Sequence, residues 1–133
     1  DVQPDVDKGC AVLNAMAGLD IGQAVVVQNG VILGVEAAEG TDALINRCGH
    51  LKRAGQEGGH GPVLVKLSKR QQTERADLPT IGPDTISAAA RAGFSGVVIQ
   101  AGRSLLVSKA ETIAAADSAG LFLVAVTDGD ETK

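Results

Sequence analysis

The sequence predicts an α/β layered domain: a mixed β-sheet of about six strands, one hairpin among them, flanked by about four helices. Three observations carry this prediction. Short β-branched runs alternate with Ala-rich segments of helical character along the chain. Asn29-Gly30 sits between two apolar runs, the strongest short-range signal for a two-residue hairpin. Val63-Leu64-Val65 is a continuous apolar stretch with no polar alternation, as in a strand buried on both faces.

The elements follow in order. Pro4 and Asp5 open a helix running to about Leu19, with Pro in the first turn and an acid at the positive end of the dipole. Ala24 to Gln28 and Val31 to Ala37 are the strands of the hairpin. A second helix follows Gly40, with Thr41 as its expected N-cap, and reaches about Ala54. Gly55 to Gly61 reads as a polar loop, and Pro62 to Leu67 as the buried strand. Ser68 to Ile81 is too polar and too broken for a core element. Pro83 to Ala92 is helical and stops at Gly93. Val97 to Gln100 and Leu105 to Val107 are short strands, Lys109 to Ala119 is a last helix stopped by Gly120, and Leu121 to Val126 is the final strand. Residues 1–126 thus form one domain, and Thr127 to Lys133 a polar tail expected to be disordered. The chain opens at Asp1 rather than Met, and is expected to be part of a longer protein.

Composition narrows the function classes. In 133 residues, 44% are apolar, with two Phe and neither Trp nor Tyr, so the core is aliphatic. Stacking on nucleobases is a poor fit to such a chain, and a net charge of −4 lacks the basic footprint of a nucleic-acid binder. No apolar run is long enough to span a bilayer. Cys10 and Cys48 read as small buried hydrophobes, since their spacing matches no zinc motif. His50 and His60 do not read as a metal pair, and Asp5 and Asp7 read as charges of a first helical turn.

Two segments have residue types suited to phosphoryl chemistry. Lys66, Lys69, Arg70 and Arg75 place four cations within ten residues of an otherwise acidic chain, on the exit from a buried strand. Loops beyond the carboxyl ends of strands are where α/β sheets bind ligands. Cations there neutralise charge on phosphoryl oxygens as a P–O bond breaks. Asp77 adds a carboxylate suited to Mg²⁺ or to orienting a water; a solvated mixed-charge loop has the same composition. The second segment is Glu36-Ala37-Ala38-Glu39-Gly40-Thr41-Asp42, at a strand-to-helix turn. It suits an anion on free backbone N–H groups or a hard cation on carboxylates, and ordinary helix capping also accounts for it.

These segments resemble the C-terminal domain of the bacterial UDP-2,3-diacylglucosamine pyrophosphatases of lipid A synthesis. The resemblance lies in Gln3-Pro4-Asp5-Val6 with Lys8-Gly9, Gly22 to Val27, Val35-Glu36-Ala37-Ala38-Glu39-Gly40-Thr41-Asp42 and Leu64-Val65-Lys66. It continues through Lys69, Gln72, Arg75, Asp77-Leu78-Pro79-Thr80-Ile81-Gly82-Pro83, Ala101-Gly102 and Ala119 to Phe122. It implies Mg²⁺-dependent hydrolysis of UDP-2,3-diacylglucosamine to UMP and 2,3-diacylglucosamine 1-phosphate (lipid X), with the substrate between this domain and an N-terminal domain absent from the chain. By resemblance, Asp77 is the catalytic or metal-binding carboxylate, and Lys66, Lys69, Gln72, Arg75, Thr80 and Thr41 contact substrate. Glu36, Glu39 and Asp42 join Asp77 as metal ligands. Leu78, Ile81 and Phe94 are expected to line an acyl slot. The expected setting is cytoplasmic, with weak attachment to the inner-membrane surface; a homodimer is left open. Thr73, Arg70-Gln71 and Gln100 depart from the family pattern. They leave a second expectation, a non-catalytic sugar-nucleotide-binding or dimerisation module.

Overall fold

The computed structural model describes residues 2–16, 19, 23–51, 60–67, 80–100, 105–106 and 109–126. The described elements are α1 (Gln3–Met16), β1 (Ala24–Gln28), β2 (Val31–Val35), α2 (Thr41–Leu51), β3 (Val63–Lys66) and β4 (Thr80–Ile81). They continue with α3 (Pro83–Arg91), β5 (Gly96–Gln100), β6 (Leu105–Leu106), α4 (Lys109–Ala119) and β7 (Phe122–Val126). One five-stranded sheet has the order β2-β1-β3-β5-β7, and β4 pairs with β6 in a separate two-stranded ribbon. The α/β class with a mixed sheet is as the sequence predicts. The described strands number seven rather than six, because β4 begins inside a segment whose polarity argued against any core element.

The sheet is mixed because its connections differ in length. Asn29 (φ 49°) and Gly30 (φ 83°) adopt the positive φ that a tight hairpin turn requires, so β2 folds back antiparallel on β1. β1 is antiparallel to β3, whereas β3, β5 and β7 are mutually parallel. Each parallel step crosses over through a helix, α3 and then α4.

Two hydrophobic layers enclose the sheet. On one face Val6 and Leu13 of α1 meet Val25, Val27, Val63 and Val65. On the other, Leu44, Ile45 and Cys48 of α2 and Ile86 and Ala89 of α3 cover Ala24, Val26, Leu64 and Val97. Each residue of β1 is buried, and Val63, Leu64 and Val65 are fully so. A run apolar at successive positions follows directly from being covered on both faces. Burying one such Val or Leu stabilises the fold by about 1.5–3 kcal/mol.

Two readings need correction. Ile81 and Phe94 lie in the core beneath α2 and α3, so they are unavailable to line an acyl slot; Leu78 lies outside the described residues. Cys10 is only half-buried, on the flank of α1, while Cys48 is in the core as expected. The expected tail, residues 127–133, lies outside the described residues.

Candidate anion-binding site

Lys66 is the last residue of β3 and points to the face covered by α2. Its ammonium donates to Thr41 Oγ1 at 2.8 Å, and Thr41 Oγ1 donates to Glu36 Oε2 at 3.1 Å. The other Glu36 oxygen, Oε1, accepts from the backbone N–H of Gln23 at 3.1 Å. Asp42 lies near enough to act electrostatically on Lys66 and accepts from Thr85 Oγ1 at 3.5 Å.

The backbone explains why Thr41 is available. The Leu44 N–H donates to the Gly40 carbonyl at 3.1 Å, which makes Gly40, not Thr41, the residue that precedes the first helical turn. Gly40 has φ 91°, a conformation that a side chain disfavours. Thr41 is then the first residue of α2. Its hydroxyl is directed at Glu36 and Lys66 instead of capping, so the expected N-cap role is corrected.

Removal from water lowers the Lys66 pKa from the ordinary lysine value; the nearby Glu36 and Asp42 carboxylates oppose that shift. A lysine ammonium has three donors, and among the described residues one of them is placed, on Thr41, with capacity left for a ligand. With two carboxylates beside one ammonium, the described part of the site is net negative. Any anionic ligand here would call for further positive charge, which the sequence offers in Lys69, Arg70 and Arg75.

Glu39 is placed differently. Both of its oxygens face Arg47, Oε2 at 2.9 Å from Nε and Oε1 at 3.3 Å from Nη2. Arg47 holds its carboxyl below the usual carboxylate range. Among the described residues no cluster of three or more His, Cys, Asp or Glu could hold a metal. At this turn both oxygens of Glu36 and of Glu39 already accept hydrogen bonds, which leaves fewer lone pairs for a cation, whereas Asp42 retains more acceptor capacity. Lys69, Gln72, Arg75 and Asp77, together with the Thr80 side chain, lie outside what the structure describes. The fold therefore joins Glu36, Thr41, Asp42 and Lys66, and turns Glu39 aside.

The structure also shows a second polar cluster that reading the residues missed. Asp5 is buried and accepts from the N–H groups of Asn29 at 2.7 Å and Gly30 at 2.8 Å, and His60 Nε2 lies 2.6 Å from its Oδ2. Asp5 is thus more than a first-turn charge, and His60, which the sequence marked only as not part of a metal pair, is its partner. The Gln23 N–H was equally invisible, because a backbone group has no residue signature.

A lysine, a hydroxyl and two carboxylates gathered beyond the carboxyl end of a parallel strand define a class: an α/β domain with a polar ligand site at its strand ends. Comparison narrows the class. Residues 1–124 match the LpxI C-terminal domain family, and the chain belongs to that family. It is 48% identical over 124 residues to the UDP-2,3-diacylglucosamine pyrophosphatase LpxI of Caulobacter vibrioides. That match covers 92% of this chain but 44% of the relative, so the chain spans less than half of the relative's length.

Proposed function

We propose that this chain forms the C-terminal part of a UDP-2,3-diacylglucosamine pyrophosphatase, which releases UMP and 2,3-diacylglucosamine 1-phosphate. The observation that supports this most is the Lys66–Thr41–Glu36 chain of hydrogen bonds at the exit of β3, in a member of this family. In this reading a water attacks one phosphorus of the diphosphate. Lys66 and the Thr41 backbone N–H at the start of α2 bind its oxygens, Lys69, Gln72, Arg75 and Thr80 complete the contacts, and Asp77 is the catalytic carboxylate. Asp42 and Asp77 are the carboxylates that would hold Mg²⁺, which when bound supplies positive charge beside the phosphoryl oxygens. Such charge suits a site whose described residues are net negative.

The half of the relative that this chain does not cover is the proposed source of a facing N-terminal domain. No described helix is long and apolar enough to cross a membrane. A cytoplasmic protein meeting its acylated substrate at the inner-membrane surface is the proposed setting. UMP release by the full polypeptide, wild type against Asp77→Ala, tests the reading. A loss of at least about a hundredfold is expected if Asp77 carries the chemistry. Equal rates would remove Asp77 from catalysis. Absence of release by folded wild type in Mg²⁺ would leave a sugar-nucleotide-binding module.

A further inference from the structure

We propose that Glu36 is a positioning residue: acting through the Thr41 hydroxyl, it aims the Lys66 ammonium at the diphosphate instead of ligating a metal. The proposal rests on the reading of Lys66 as a phosphate-binding group.

The hydrogen bonds around Glu36 form a closed circuit. Its own N–H donates to the Ala24 carbonyl at 2.9 Å, and its Oε1 accepts from Gln23 N–H at 3.1 Å. The Gln23 carbonyl in turn accepts from Leu67 N–H at 3.0 Å, one residue beyond Lys66. Gln23 thus holds the lysine's backbone through one peptide group and its side chain through the other, by way of Glu36 Oε1, Oε2 and Thr41 Oγ1.

Proton direction follows from the chemistry. The ammonium can only donate, so Thr41 Oγ1 accepts from Lys66 and must donate its single proton to Glu36. That order uses one Lys66 donor and leaves the others in a fixed orientation. A flexible four-carbon side chain loses rotational freedom before the ligand arrives, so less of that cost falls on binding. Glu36 also keeps the ammonium charged against the desolvation that lowers its pKa. Metal ligation by Glu36 would place a cation on the same oxygens that hold Gln23 and Thr41, and would compete with this restraint.

The test uses the full polypeptide and measures kcat and KM for UMP release with Glu36→Gln, Thr41→Val, Thr41→Ser and the Glu36→Gln/Thr41→Val double variant. Melting curves show that each variant is folded. Glu36→Gln and Thr41→Val are each expected to lower kcat/KM about 10- to 100-fold, the scale of one charge-assisted hydrogen bond. The double variant should be no worse than the weaker single one, because the residues act as one unit. Thr41→Ser should recover activity to within about threefold of wild type, since it keeps the hydroxyl. The Mg²⁺ concentration for half-maximal rate should be unchanged in Glu36→Gln.

Wild-type kcat/KM in Thr41→Val, losses that multiply in the double variant, or a raised Mg²⁺ requirement in Glu36→Gln would each overturn the proposal. If folded wild type releases no UMP, the hydrolase reading fails by itself. Pyrophosphate affinity by calorimetry then decides the positioning: Thr41→Val weaker than both wild type and Thr41→Ser supports it, and equal affinities overturn it.

Discussion

The two ends of β3 carry polar clusters of opposite design. Before the strand, Asp5 is 2% exposed, and its oxygens take the hairpin N–H groups and His60. Gln28 Nε2 donates to the His60 carbonyl and Lys8 Nζ to that of Gly30, which closes the cluster further. At the strand's other end Lys66 is half-buried and places a single donor on Thr41 among the described residues. The difference teaches how to separate structural from functional polarity. A buried group whose capacity is filled by its own chain stabilises the fold, whereas an oriented group with spare donors is prepared for a ligand.

The most severe way to break the comparison is Lys66→Met. It should lower kcat/KM for UMP release by about 10²–10³-fold, as for loss of one transition-state donor. The melting temperature should stay level or rise, because burial already disfavours the ammonium. A large stability loss with intact activity would reverse the roles assigned to the two ends.

Asp5→Asn is the converse. Loss of the carboxylate should destabilise the protein by about 2–4 kcal/mol in denaturant unfolding, since an NH2 donor replaces one of the two acceptor oxygens and faces a buried donor. The folded variant should keep its kcat.

The pH dependence sharpens the same point. Burial acts to raise the Asp5 pKa, but hydrogen bonds from His60, Gly30 and Asn29 outweigh it and hold the carboxyl below its ordinary 3.8. The unfolded state therefore binds its proton first. The stabilisation is complete above the unfolded value and is lost as pH falls through the folded one. Melting temperatures from pH 7 to 3 should fall more steeply for wild type than for Asp5→Asn.

Gly40→Ala tests the backbone that delivers Thr41. No atom lies within 4 Å of an added Cβ, so the expected cost of about 1–2 kcal/mol is purely that of positive φ. The smallest effect belongs to Glu39→Gln, which should leave UMP release within about twofold, because an exposed ion pair contributes little. A larger loss would return Glu39 to the site.

Much of this molecule is local chemistry and was legible as such. Asn29-Gly30 specifies a hairpin through its tolerance of positive φ, and Val63-Leu64-Val65 declares a strand covered twice. Gly93 and Gly120, both at positive φ, mark the ends of α3 and α4. The Glu36–Asp42 and Lys66–Asp77 segments were visible as chemistry-bearing stretches and carried the family resemblance. Their partners were not. Lys66 and Thr41 are 25 residues apart, and Asp5 and His60 are 55 apart.

By itself, then, the sequence determined the layered α/β class, the hairpin, the buried central strand and the family. Those depend on turn conformations and apolar patterning within a few residues. Only the tertiary structure decided that Ile81 belongs to the core, that Glu39 pairs with Arg47, and that Glu36 reaches Lys66 through Thr41. Each depends on strand register and on how a helix seats against the sheet, and a hydrogen bond a few ångströms long forms only after those distant elements are packed.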